Sequence, residues 1–296
     1  MERRPNPARL GGWGYALALY CYGMYLVYPR TGEESYLTYI QGWIDEHVDE
    51  SGTIDRKITA LDYMLPGNVL LLLYKETGQQ KYKTAASTIR TTFDSYPRTE
   101  NGGFWHAQSR QHQLWLDGVY MSLPFLVRYG AMFDDSQYAL VKAAKQLMIY
   151  ARHLNDPATG LMFHASDEPG QQAWADPVAH HSPIFWCRSI GWFGMTLVDM
   201  LEIIAKGHAR RENLNGRFGS WPPRTRSIRI APPACGTRWS TRAATPRTGR
   251  RHLAPACTPT CSLAGYSEGT FRRIITELPR RAMSNPPTLL AHPERS

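Results

Sequence analysis

Between Gly102 and Phe125 the sequence reads GGFWHAQSRQHQLWLDGVYMSLPF, and one carboxylate, Asp117, stands in an otherwise apolar frame. Trp115 and Leu116 precede it, and Gly118, Val119, Tyr120 and Met121 follow in a pattern that opens a helix. An acid in such a place is either a buried, hydrogen-bonded structural group or a tuned catalytic one. We take the second reading and ask which other residues support it.

Three clusters interleave aromatic rings with polar groups. Phe104-Trp-His106 stands with Trp115-Leu-Asp117, the stretch from Gly160 through His164 to Glu168 with Trp174-Ala-Asp, and Ser182-Pro-Ile-Phe-Trp186-Cys-Arg188-Ser-Ile-Gly-Trp192 by itself. Rings of this kind stack on the apolar faces of sugars, while arginine and histidine hold carboxylates and hydroxyls. If the third cluster opens a helix, Trp186, Arg188 and Trp192 lie within roughly two turns and can face one cavity. Singly, an aspartate beside glycine is most often a cap or turn residue, histidines such as His106 and His164 are structural, and inner aromatics fill core. Their joint occurrence points to a carbohydrate-type pocket.

The elements that must position these residues are helical. Trp13 to Tyr28 is hydrophobic nearly all round, as expected of a helix buried on most faces. Glu33 to His47 places Tyr36, Tyr39, Ile40, Trp43, Ile44 and His47 on one side. Ile58 to Tyr74 is apolar and interrupted at Pro66-Gly67. Thr31-Gly-Glu-Glu-Ser-Tyr36 and Thr77-Gly-Gln-Gln-Lys-Tyr82 repeat one another between an apolar and an amphipathic helix, with a looser echo at Asp135-Ser-Gln-Tyr138. Such repeats predict stacked helical hairpins in a solenoid or a closed ring. Arg98 to Gln113 and Asn155 to Pro183 are long, irregular and rich in Trp, His, Gly and Asp, the marks of site-building loops. No stretch alternates convincingly as a strand, so the expected fold class is all-α.

The chain has 296 residues and a net charge of +9. Gly207 to Ser296 holds sixteen arginines against four glutamates, with neither lysine nor aspartate, a balance of +12 that leaves residues 1–206 at −3. The basicity therefore argues for no nucleic-acid partner of the body. Cys235, Cys257 and Cys261 lie in the tail, leaving Cys21 and Cys187: no disulfide framework, and no spacing for a metal. No run of about twenty uncharged apolar residues predicts a membrane span. Leu10 to Tyr28, after Arg3 and Arg4, lacks a small-residue cleavage site and reads as a first core helix, which favours a cytoplasmic protein. Nothing in the sequence sets an oligomeric state.

From about Trp13 to about Glu202 the clusters and their order resemble glycoside hydrolase family 105, the unsaturated rhamnogalacturonyl hydrolases, and behind it the unsaturated glucuronyl hydrolases of family 88. WLDGVYMSLPF, DPATGLMFHASDE and SPIFWCRSIGW carry the resemblance. It implies an (α/α)6 barrel of helical hairpins with the site at one mouth. Asp117 matches the catalytic acid and Asp62, in Ala-Leu-Asp, a second pocket acid. Tyr15 matches the aromatic near it, and His106, His164, Arg188 and Trp192 match residues around the unsaturated sugar, to which the aromatic clusters add Trp115 and Trp186 as candidate substrate-binding residues. Ala107 departs from the pattern, which has a longer polar side chain after Phe-Trp-His. The implied substrate is a small unsaturated oligosaccharide ending in a 4,5-unsaturated uronic acid, and the chemistry needs neither metal nor organic cofactor. Trp115, Leu116 and Tyr120 would raise the Asp117 pKa by desolvation, while Asp62 would stay ionised.

The resemblance stops near residue 206. It therefore implies a catalytic domain over 1–206 with an incomplete barrel, and an Arg/Pro-rich tail over 207–296. Composition alone makes the tail a disordered basic segment, with eleven of the twenty-one prolines. With one admissible choice of codons, Cys235 to Ala244 read two bases later gives Trp-Tyr-Gln-Val-Val-Asp-Gln-Gly, a segment of the type the family carries, so the tail also reads as a frameshifted C-terminus. Two further readings stand beside the hydrolase: an inactive truncated relative, and a nucleic-acid-binding protein acting through its arginines.

Overall fold

In the computed structural model, the described residues are Asn6, Pro7 and 10–203. The expectations for the tail at 207–296, and for further hairpins closing a barrel, fall outside them. Helices α1 (Tyr15–Thr31), α2 (Glu34–Asp45), α3 (Gly67–Thr77), α4 (Gln80–Ser95), α5 (Gly118–Met132), α6 (Ser136–Leu154) and α7 (Cys187–Ile203) make three hairpins and the first helix of a fourth. Each hairpin packs on itself, and α1, α3, α5 and α7 pack side by side in sequence order as an inner layer. This is the expected all-α arrangement of stacked hairpins. Among the described residues no helix is long and apolar enough to cross a membrane.

The repeated Thr-Gly turns are physical copies. Gly32 and Gly78 end α1 and α3 in the left-handed region, at φ 68° and 69°, where a side chain would be strained. Their N–H groups donate to the carbonyls of Tyr28 and Tyr74. Thr31 and Thr77 then each accept the next hairpin arm's N–H, from Glu33 and Gln79, at 3.3 Å.

Inner and outer helices bury different shares of their surface. In α5 every residue from Gly118 to Val127 is buried. Amphipathic α4 buries one stripe, including Tyr82, Ala85, Ala86, Ile89 and Phe93. Each large apolar side chain so removed from water contributes about 1.5–3 kcal/mol before entropy is counted. The inner helices are also tied by one arginine. Arg128 donates to Asn68 Oδ1 and Asp199 Oδ2 at 2.7 Å each and to the Tyr22 hydroxyl at 3.3 Å, joining α5 to α3, α7 and α1.

Two expectations are corrected. Helix α1 is not buried on most faces: Ala18, Cys21, Met24 and Tyr25 are covered, while Tyr20, Leu26 and Val27 are 44%, 52% and 39% exposed. It lies at the edge of the inner layer, with neighbours on one side only among the described residues. The body also contains strand pairing. β1 (Gln113–Trp115) and β2 (Ala165–Asp167) run antiparallel, with Leu114 opposite Ser166. Strands of three residues are too short to show alternation, and their partners lie about fifty residues apart.

Candidate active site

The two irregular loops and the helix ends meet in a backbone strip across one end of the inner layer. The Leu61 N–H donates to the His106 carbonyl at 3.0 Å, and the His106 N–H to the Gln113 carbonyl at 2.8 Å. β1 then pairs with β2. The Leu116 N–H donates to the His164 carbonyl and the His164 N–H to the Ile184 carbonyl, both at 2.8 Å. Five segments remote in sequence are thus held in register by main-chain bonds, and each presents a residue singled out above or its neighbour.

Asp117 occupies the cap position of α5, yet its side chain makes no capping bond. The residue is 9% exposed, and its Oδ2 is buried without a hydrogen-bond partner. That oxygen lies 3.5 Å from His164 Nδ1. Asp62, in the 3-10 turn Leu61–Tyr63, faces a second histidine, with His106 Nε2 at 3.8 Å from its Oδ1. Between the two pairs stands Trp115. His106 stacks on it at 4.8 Å and an interplanar angle of 7°, and His164 is tilted to it at 5.4 Å. Trp115 is fixed by its own Nε1–H, which donates to Gln113 Oε1 at 2.9 Å.

Gly118 is what lets the two acids share a site. A Cβ there would come within 2.6 Å of Leu61 Cδ1 and 3.1 Å of the Tyr150 hydroxyl, so a side chain would crowd the start of α5 against the turn that carries Asp62.

Trp186 and Arg188 complete the cluster from the start of α7. Trp186 lies 5.8 Å from the His164 ring, and the Arg188 guanidinium stands 5.3 Å from the Trp186 ring. Trp192 does not join them directly: it stacks on Tyr120 at 4.8 Å, one turn along α5 from Asp117. Tyr15, the first residue of α1, packs partly against the core, and no hydrogen bond or ring contact joins it to the other named residues. Sequence reasoning missed Ser189. It is fully buried, donates its hydroxyl proton to the Trp186 carbonyl at 3.1 Å, and places its Oγ 3.1 Å from His164 Nδ1. With that oxygen and the Asp117 carboxylate both facing Nδ1, the proton of neutral His164 is assigned to Nδ1, leaving Nε2 as an acceptor.

Burial dominates the electrostatics. It pushes Asp62 up to about 6, with the Asp117 charge adding to the rise and Arg188 opposing it. It raises Asp117 as well, against His164 and Arg188, which both pull it down. His106 is lowered to about 4 by burial, then by His164 and Arg110. His164 is lowered by burial, which outweighs the opposing Asp117. Both histidines are therefore neutral at pH 7. Among the described residues no group of three His, Cys, Asp or Glu side chains is placed to hold a metal ion.

The arrangement is two carboxyl groups, each beside a histidine, flanked by aromatic faces, with a guanidinium at the rim. The sequence profile of Glycosyl Hydrolase Family 88 matches residues 4–221. The chain belongs to that family. It is 28% identical over 202 residues to the unsaturated rhamnogalacturonyl hydrolase YesR of Bacillus subtilis, an alignment covering 66% of this chain and 55% of YesR. Its structure resembles that of a family 105 glycoside hydrolase from C. acetobutylicum, with a TM-score of 0.69 and 33% identity, covering 74% of this chain and 61% of that one. A possible family 105 member from Klebsiella pneumoniae gives a TM-score of 0.58 at 26% identity, over 69% of this chain and 52% of that one. This family 88 chain thus spans little more than half the length of the proteins it resembles.

Proposed function

We propose that the chain is a hydrolase that removes a 4,5-unsaturated uronic acid from small lyase-derived oligosaccharides, such as the rhamnogalacturonan disaccharide unsaturated galacturonyl-rhamnose. One observation carries the reading: Asp117 stands where an acid caps a helix, caps nothing, and keeps a buried, unpaired oxygen beside His164. The name of YesR supports the substrate.

The unsaturated ring contains a vinyl ether. Asp117 donates a proton to C4, and the electron pair of the double bond forms the new C–H bond, leaving an oxocarbenium ion at C5. A water oxygen bonds to C5 and its proton passes to a carboxylate of the site. The hemiketal opens by cleaving C5–O5, and the hemiacetal left at C1 expels the remaining sugar. No carboxylate attacks the glycosidic carbon, unlike the two-carboxylate hydrolysis of ordinary glycosides.

The pKa directions add a step that the sequence did not suggest. Burial raises both carboxyls, and the Asp117 charge adds to the rise of Asp62, so the two acids compete for a proton. On this reading the uronate carboxylate pairs with Arg188, cancels the cation that lowers Asp117, and so favours the protonated form of the group that must donate. Asp62 then holds the water. A cytoplasmic site of action belongs to the same proposal and agrees with the free thiols Cys21 and Cys187.

Loss of the double bond's ultraviolet absorbance measures the reaction. Asp117→Asn is expected to lower kcat by about 10³-fold or more, and substantial turnover by that variant would refute the assignment. A second reading, an inactive relative, is favoured by the exposed apolar residues of the edge helices, Leu26 and Val27 on α1 and Met195 and Val198 on α7. Purified chain with native near-ultraviolet dichroism but no turnover would establish it.

A further inference from the structure

A second guanidinium borders the site, and the chemistry above gives it nothing to do. Arg110 is exposed, and its Cζ stands 5.6 Å from the ring of Trp115, the tryptophan that separates the two Asp–His pairs. Its root is rigid. Ala107 bridges to Ala60, the Gln108 N–H donates to the Thr59 carbonyl at 2.8 Å, and the Arg110 N–H donates to the Ala107 carbonyl at 2.9 Å. Ala107, with its single methyl, leaves this turn without a longer side chain that could reach over the ring.

Arg110 has no carboxylate partner within ion-pair distance among the described residues. The rim acid Glu168 is engaged elsewhere, accepting the Glu100 N–H at 2.8 Å and lying 3.4 Å from His112 Nδ1. Asp62 and Asp117 both feel Arg188, whereas the group that feels Arg110 is His106, on the other flank of Trp115. The two cations therefore act on different groups, Arg110 on His106 and Arg188 on the two carboxyls. Each stands over its own indole, Arg188 over Trp186 and Arg110 over Trp115. An arginine anchored at its root, stacked on an aromatic face and left without a counter-ion is a ready partner for a carboxylate brought by a ligand.

We infer that Arg110 forms a second anion subsite, on the leaving-group side, that recognises a carboxylate on the sugar beyond the scissile bond. This rests on the proposed hydrolase reading, in which Arg188 takes the carboxylate of the unsaturated ring. It changes the substrate class: fragments with an acidic sugar after the unsaturated one are preferred over fragments ending in a neutral deoxysugar.

Equilibrium binding to the full chain tests this by calorimetry, with Asp117→Asn as the parent so that ligand is not consumed. The probes are unsaturated galacturonyl-galacturonate and unsaturated galacturonyl-rhamnose. The parent is expected to bind the acidic disaccharide about tenfold more tightly at low salt, with the advantage shrinking as salt screens the pair. Adding Arg110→Gln should abolish the difference and leave the affinity for the rhamnose disaccharide within about twofold. Equal affinities in the parent, no binding of either probe, or an equal loss for both probes in Arg110→Gln would overturn the subsite. Consumption of either probe by the Asp117→Asn parent would instead refute the role of Asp117, so the two failures are distinguishable.

Discussion

The two Asp–His pairs on either side of Trp115 look alike and are built differently. In one, His106 is pressed flat against the indole, 3.8 Å from Asp62, and its other nitrogen, Nδ1, is buried without a partner. In the other, His164 is tilted, shares its Nδ1 between Ser189 and Asp117, and faces Asp117 at 3.5 Å. The first histidine is fixed by stacking and the second by its hydrogen bond to Ser189. A stacked neutral imidazole shields its acid and leaves the proton affinity high. A hydrogen-bonded one sets the position and ionisation of the acid beside it. The second pair is thus the one equipped to move a proton, and the first to hold one.

The largest expected effects test that division. Asp117→Asn should abolish chemistry, whereas Asp62→Asn should retain a residue of it, with kcat down about 10²-fold and substrate affinity nearly unchanged. Equal losses in the two variants would break the contrast. The variants should also differ in stability. Asp62 is raised to about 6, so the folded state favours its protonated form. The stabilisation is complete below the unfolded carboxylate range and is lost as pH rises through about 6. Asp62→Asn does not titrate, so its melting temperature should exceed that of the parent by a few degrees at pH 7.5 and match it at pH 4. A pH-independent difference would show that the Asp62 carboxylate is not held in the way described.

Gly118→Ala tests whether the pairs work as one site. The added methyl meets Leu61 Cδ1 at 2.6 Å and the Tyr150 hydroxyl at 3.1 Å, an overpacking that costs about 1–3 kcal/mol. It crowds the start of α5 against the turn bearing Asp62. Activity should therefore fall about 10–100-fold while Asp117 and Asp62 remain intact. A lowered melting temperature with unchanged kcat would mean that the spacing of the two pairs is not critical.

What the sequence revealed follows from how local each signal is. Asp117 stood out because a charged residue interrupts a continuous apolar run, and the hairpins because the Thr31-Gly32 and Thr77-Gly78 turns need the same left-handed glycine. The pairing of Gln113–Trp115 with Ala165–Asp167 left no local trace, since three residues carry no period. Trp13 to Tyr28 was misjudged for the opposite reason: composition reports that a helix is apolar, not how many of its faces find a neighbour. Arg128 and Ser189 were invisible because their meaning lies in partners on other helices.

Ser189 offers the finest test of the comparison. Its Oγ lies 3.1 Å from His164 Nδ1 while its proton is directed to the Trp186 carbonyl. In Ser189→Ala the imidazole loses that acceptor, and its Nδ1–H is left with Asp117 alone. Two hydrogen bonds are removed, worth about 2 kcal/mol together, so the fold should survive. The remaining contact draws His164 closer to protonation, while loss of the hydroxyl, which helps to lower Asp117, lets that carboxyl rise. Turnover should fall about tenfold as the imidazole loses its fixed position, and the pH above which activity is lost should move to higher values. Imidazole nitrogen NMR should show His164 as the Nδ1–H form in the parent and a higher His164 pKa in the variant. If Ser189→Ala lowers stability but leaves the pH profile and the His164 signals unchanged, the serine merely fills space, and the second pair loses the feature that sets it apart from the first.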